Sequence, residues 1–203
     1  YDYNKLLQKI KLLRLPVNVY KSKSGGAHIA VYLDKPYPAK DVRHILKKFA
    51  YALGHERETT AIEIFPKSDV LNGLGKKVNL PYTGGNSRVL LNNDAEDQTF
   101  AEFLKLAPER VTNLQYLAKF KLLDHGKKQH RNERTFAFAV FAKKHFEDWE
   151  EKTKSYNELF NDPPLNKHPK DTPNRLENTI LKSVRNNDYH KGNLIIMAIA
   201  SLQ

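Results

Sequence analysis

Lys21-Ser22-Lys23-Ser24-Gly25-Gly26-Ala27-His28-Ile29-Ala30-Val31-Tyr32-Leu33 joins a polar, glycine-bearing turn directly to an apolar alternating run. With Val17 to Lys21 in front of it, the stretch predicts a β-hairpin: a first strand to Lys21, a turn over the glycines, and an antiparallel partner from Ala27 to Leu33. Two adjacent glycines lack the Cβ atoms that would keep a phosphate away from backbone N–H groups. Two serines and two lysines add donors and charge, and His28 stands at the mouth of the strand. A glycine pair between strands is more often a plain turn, and a lone strand histidine is more often satisfied by a neighbour. Their joint occurrence points to a polyphosphate ligand.

Working outward, Leu6, Leu7, Ile10 and Leu13 recur at helical spacing from Asn4 to Leu13, and Pro16 stops the run. Pro36 and Pro38 break the second strand before a helix from about Ala39 to Leu53, with Gly54 placed to terminate it. Thr60 to Phe65 alternates and reads as a third strand closed by Pro66. Val78 to Tyr82 reads as a short strand that Pro81 confines to an edge or an end, and Ser87 to Leu91 as a fifth. The order of elements indicates an α+β fold with a mostly antiparallel sheet flanked by helices.

Composition changes after about Asn93. Helices are expected at Thr99 to Ala107, Val111 to Leu123, Thr135 to Lys154 and Arg175 to Asn186, giving a small α-helical domain. The boundary is drawn at 1–107 and 108–203. Lys127, Lys128, Arg131 and Arg134 concentrate positive charge near this junction; a solvated polar loop is the plain reading, a clamp on a nucleic-acid backbone the functional one. Trp149, the only tryptophan, is expected to anchor the helical core.

The balance of 34 Lys+Arg against 23 Asp+Glu gives a net charge of +11, a common footprint of proteins that bind phosphate backbones. There is no cysteine, which removes disulfides, thiolate nucleophiles and sulfur-ligated zinc, and permits a cytoplasmic setting. The eight histidines show no metal-binding spacing. The apolar run Leu194 to Ala200 falls far short of the ~20 residues that span a bilayer and reads as a buried terminal helix or strand. The chain opens at Tyr1 with no signal-peptide pattern and is expected to be a trimmed piece of a longer protein.

Alternation places the Glu63 carboxylate opposite Ile62 and Ile64, and Lys67 follows four residues later. A lone strand carboxylate usually faces solvent. Beside a phosphate cradle it suits Mg²⁺ or Mn²⁺, hard ions that bridge protein oxygens to substrate phosphates. One acid is too few for such a site, and Asp2 is the other candidate placed early.

These residues together resemble the archaeo-eukaryotic primases, or primase-polymerases, in the phage- and conflict-system-associated branch. That branch carries a D-x-D pair leading into a helix, then S-x-S-G-G-x-H, E-x-F-P-K and G-N-x-x-x-L-P-Y-x-G-G. Lys21 to His28 matches the second motif, Glu63-Ile64-Phe65-Pro66-Lys67 the third, and Val78 to Gly85 the last. Arg131-Asn132-Glu133, Asp148-Trp149-Glu150-Glu151, Tyr156 to Phe160, Pro163-Pro164-Leu165 and Ile180 to Ser183 resemble the helical domain that follows in such proteins. Two departures stand out: the first acid of D-x-D would fall before Tyr1, and an apolar tail replaces a cysteine-bearing stretch.

The resemblance implies an RNA-recognition-like (RRM-like) antiparallel catalytic domain followed by the helical one. It implies a template-dependent nucleotidyltransferase, a DNA primase or polymerase, in which a 3′-hydroxyl attacks the α-phosphate of a nucleoside triphosphate and pyrophosphate leaves. Asp2 and Glu63 would hold Mg²⁺ or Mn²⁺, and with His28, which contacts the nucleotide phosphates, they form the expected catalytic set. Lys21, Lys23, Ser24, Gly25, Gly26, Lys67 and Arg88 would complete the nucleotide site. Expected partners are single-stranded DNA template and primer, nucleoside triphosphates and a helicase, without a membrane, in phage or mobile-element replication in the bacterial cytoplasm. The rival reading is a non-catalytic nucleic-acid-binding module of a replication protein.

Overall fold

The computed structural model describes residues 1–55, 62–70, 78–83, 88–120, 122–123, 130–187 and 199–200. The fold is α+β, with small antiparallel and parallel sheets and several helices. Its contacts gather into two units, one of residues 1–47 with 63–120, the other of residues 48–62 with 121–203.

In the first unit, α1 spans Tyr3–Leu13 and buries Leu6, Ile10, Leu12 and Leu13. Asp2 caps its start by accepting from the Lys5 N–H at 2.9 Å. Arg14 ends it in the left-handed conformation, φ 53°, its N–H turned back to Ile10 and Lys11 carbonyls. The hairpin follows as β1 (Asn18–Lys21) and β2 (Ala27–Ala30), antiparallel with Tyr20 opposite His28 and Lys21 opposite Ala27. The expected partner strand is shorter than its sequence suggests. After Val31 the chain leaves β1, and β3 (Tyr32–Leu33) pairs in parallel with β4 (Val111–Thr112).

The other edge of β1 carries residues 89–91. Tyr20 bridges Leu90 antiparallel, the Lys21 N–H donates to Val89 O at 3.0 Å and the Leu91 N–H to Val19 O at 2.9 Å. A turn held by the Asn92 side chain, which accepts from the Asp94 and Glu96 N–H groups, brings Asp97 back beside Leu91. The Gln98 N–H then donates to Leu90 O at 2.8 Å. The result is an antiparallel platform ordered β2, β1, 89–91, 97–98.

On the Tyr20 face lies α3 (Phe100–Leu106), started by a capping box between Thr99 and Glu102. Phe103 touches Tyr20, Tyr32 and Tyr82 with ring centroids 5.2 to 6.4 Å apart. Tyr82, φ 59°, donates its hydroxyl to Gln98 O at 2.9 Å and accepts from the Leu90 N–H, so it is a structural strut of the platform. Burial pushes the Tyr32 phenol up to about 12, with Arg110 pulling the other way.

Ile62 to Phe65 form no strand, and 78–82 are irregular and turn, although both read as strands. Alternation marks which face a strand would bury but supplies no neighbour to pair with, and Pro66 and Pro81 each remove a donor. The expected helix from Val111 to Leu123 is instead β4, a one-turn helix α4 (Leu114–Ala118) and β5 (Leu122–Leu123). Asn113 decides the start of α4, its side chain accepting from the Tyr116 N–H at 2.7 Å.

The long helix α2 (Ala39–Ala52) matches its expected span, and Gly54 follows it at φ 96°. In the second unit, the expected helix from Thr135 to Lys154 is two helices, α5 (Arg131–His145) and α6 (Trp149–Phe160). Phe146 is extended between them, and Glu150 and Glu151 occupy the first turn of α6, where a helix dipole favours acids.

Phe138 of α5 and Tyr156 of α6 are both fully buried and stack with centroids 4.1 Å apart. A buried polar line crosses the same pair: the Asn161 amide donates to Thr135 and Asn157 at 2.8 Å each, and Asn157 accepts from the Leu165 N–H. A π-helical stretch, Leu176–Leu181, runs into α7 (Lys182–Asn186) and packs Ile180, Leu181 and Val184 with Ala139, Leu165 and Trp149. The strand β6 (Ile199–Ala200) pairs antiparallel with β5. No helix among the described residues is long and apolar enough to cross a membrane.

Candidate functional site

The hairpin turn is built mostly from its own backbone. Ser22 N–H donates to Gly26 O at 2.8 Å, Gly25 N–H to Ser22 O at 3.0 Å, and Ser24 N–H to Ser22 Oγ at 3.2 Å. Ser22 and Ser24 hydroxyls share a hydrogen bond at 2.8 Å. The N–H groups of Lys23 and Gly26 have no partner among the described residues. Gly25, at φ 84°, needs the freedom glycine gives. Gly26 does not: a Cβ there would meet Ser22 at an ordinary 3.9 Å. The fold makes no demand for glycine at 26, whereas a phosphate approaching its N–H would.

One side chain from outside fastens this turn. The Tyr3 hydroxyl, at the start of α1, donates to Gly26 O at 3.0 Å and lies 3.4 Å from Gly25 O. The Lys21 ammonium sits 5.9 Å from the centre of the Tyr3 ring and pairs with Asp97 at 2.5 Å. Asp2, Tyr3, Lys21, Gly25, Gly26 and Asp97 therefore belong to one neighbourhood at the end of the platform. Sequence reasoning missed Tyr3 and Asp97, because they join the hairpin from 23 residues before and 76 after their partners.

His28 is exposed and opposite Tyr20, while Lys21 is opposite Ala27. Strand alternation puts adjacent positions on opposite faces, so His28 and Lys21 leave the hairpin in opposite directions. His28 lies on the face that carries Tyr20 and α3; Lys21 lies on the face toward Tyr3 and Asp97. Lys23 and Ser24 are exposed at the tip.

Glu63 forms an ion pair with Lys67, whose ammonium also lies 5.1 Å from the Phe65 ring centre. Asp69 in the same segment pairs with Arg43 of α2 at 2.6 Å. No hydrogen bond or ion pair joins His28 to Glu63 among the described residues. The Asp2 carboxylate is held on the Lys5 N–H. Among the described residues no three His, Cys, Asp or Glu side chains form a group able to hold a metal ion.

Arg88 donates from Nη1 to Thr83 O at 2.9 Å. Of the basic cluster, Lys127 and Lys128 lie outside the described residues. Arg131 grips Asp171 with two bonds of 3.2 Å and donates to Pro163 O at 2.9 Å. Arg134 donates to Phe160 O at 3.2 Å. Both guanidinium groups thus brace the helical unit, in place of the open phosphate clamp that charge alone suggested. Burial pushes the Asp171 carboxyl up, but the Arg131 bonds and charge, with the His168 and Asn166 N–H groups, outweigh it and hold the carboxyl below the usual aspartate range.

No curated protein and no solved structure matches the chain. Residues 1–101 match the family described as the TOTE conflict system, Archaeo-Eukaryotic Primase domain. That span takes in α1, the hairpin, α2, the Glu63–Lys67 segment and the outer ribbons of the platform. Through it, the chain belongs to the archaeo-eukaryotic primase superfamily, in the branch found in conflict systems.

Proposed function

We propose that the protein is a primase-polymerase-type nucleotidyltransferase that joins nucleoside triphosphates on a single-stranded DNA template, with the glycine hairpin as its triphosphate-binding element. The observation that carries this reading is Gly26: a half-buried turn position with an N–H that no described residue occupies, and with room for a side chain that the sequence leaves off. Membership of the superfamily supplies the reaction class. On this reading the antiparallel platform belongs to the RNA-recognition-like sheet, the catalytic portion extends past the expected boundary at 107 to take in β4, which pairs with β3, and the helices after it meet template or primer.

Within the described residues the hairpin can bind and orient phosphates. The Lys23 and Gly26 N–H groups and the Ser22 and Ser24 hydroxyls donate, and Lys21 and Lys23 supply charge. His28 approaches from the opposite face and takes a different phosphate or the sugar side of the same nucleotide.

The test is incorporation of labelled nucleotides on a primed single-stranded template with Mg²⁺ or Mn²⁺. His28→Ala and Glu63→Ala should each lose incorporation; full extension by either variant overturns its assignment. A second reading is favoured by the carboxylates, since Asp2 and Glu63 are engaged elsewhere and no three-ligand group exists among the described residues. In it the hairpin binds phosphates of a nucleotide or strand without joining them. Binding of tripolyphosphate or DNA by a protein that never extends a primer decides for it.

A further inference from the structure

We propose that Tyr3 is the positioning residue of the glycine hairpin, turning the Gly26 N–H outward toward phosphate while its ring seats the Lys21 ammonium. The inference rests on the reading of the hairpin as a phosphate site and adds a residue to it.

The Gly25 carbonyl and the Gly26 N–H belong to one trans peptide unit, so they point in opposite directions. The Tyr3 hydroxyl stands 3.4 Å from the Gly25 carbonyl and 3.0 Å from the Gly26 carbonyl, on the α1 side. A donor fixed on that side aims the Gly26 N–H away from α1.

Without such an anchor, two consecutive glycines sample many orientations, and a phosphate would have to order them as it binds. Among the described residues no other side chain from outside the turn bonds to the backbone of residues 22–26. Tyr3 is itself rigidly placed, in the first turn of a helix capped by Asp2 and held by buried Leu6 and Ile10. Its ring, 5.9 Å from the Lys21 ammonium, keeps the strand's last cation on the face that carries the anchor. Asp97, on the same ammonium at 2.5 Å, limits its travel from the other side.

The experiment titrates the full chain with inorganic tripolyphosphate by calorimetry and follows amide hydrogen exchange at Gly25 and Gly26. Tyr3→Phe removes the hydroxyl and keeps the ring. It should weaken binding roughly five- to tenfold, the net worth of one hydrogen bond, and speed exchange at Gly25, whose N–H is bonded to Ser22 O, without moving the thermal midpoint. Tyr3→Leu also removes the ring and should bind more weakly still. If wild type binds and Tyr3→Phe binds equally with unchanged exchange, Tyr3 has no positioning role and the phosphate reading stands. A Tyr3→Phe loss that simply tracks a fall in thermal midpoint marks a structural tyrosine and also overturns the proposal. If wild type does not bind tripolyphosphate at all, the phosphate reading itself is removed, and the role of Tyr3 with it.

Discussion

Gly25 and Gly26 are neighbours with different reasons to be glycine. At φ 84° an L side chain is strained whatever space surrounds it, so Gly25→Ala should cost about 1–2 kcal/mol of stability. Gly26 has no positive φ, and an added Cβ makes only ordinary contact with Ser22. Gly26→Ala should therefore leave stability within about 0.5 kcal/mol of wild type while weakening tripolyphosphate binding. Chemical denaturation and calorimetry on the two variants separate the roles, and equal stability losses would show that both glycines serve the turn alone. The sequence shows that both residues are glycine. Only the backbone angles show which one the fold requires.

At the scale of elements, the loop after α6 is organised by Asp171. Its carboxylate receives two bonds from Arg131, the N–H groups of Asn166 and His168, and the more distant Arg175 at 3.6 Å. Because these partners hold its folded-state pKa below the ordinary value, the stabilisation they give is present above the usual aspartate range and is lost as pH falls through the depressed value. Asp171→Asn should accordingly be less stable than wild type at neutral pH, and the gap should close in acid. Urea midpoints measured from pH 7 to pH 2 check this; a gap independent of pH would mean that the bracket does not act through charge. The sequence showed Arg131 as one member of a basic run. It could not show that a loop 40 residues later turns an acid onto it.

Across the whole molecule, a net charge of +11 favours a polyanionic partner, and the clamp expected at 127–134 divides on inspection. Arg131 is bonded inside its own unit. Arg131→Gln should lower thermal stability and leave the salt dependence of DNA binding unchanged. Replacing Lys127 and Lys128 together by glutamine should reduce the log–log salt slope by about 0.7–0.9 for each lost phosphate contact. Binding measured from low to moderate salt on both variants tests the division, and a slope change confined to Arg131→Gln would reverse it.

Local patterning determined the elements whose evidence is short in range. The apolar spacing of α1, the hairpin flanking Gly25 and Gly26, and α2 up to Gly54 appear near their expected bounds, because caps, glycines and prolines act within a few residues. Tertiary structure decided the rest. Alternation at Ile62 to Phe65 met no pairing partner, helical spacing after Val111 gave way to a cap at Asn113, and a single expected helix divided at Phe146. The site follows the same division: the motif supplied the hairpin, while Tyr3 and Asp97 joined it only when the chain returned to it. A hydrogen bond or ion pair across tens of residues leaves no periodic trace in a sequence, because what fixes it is the folded backbone and not the spacing of the letters.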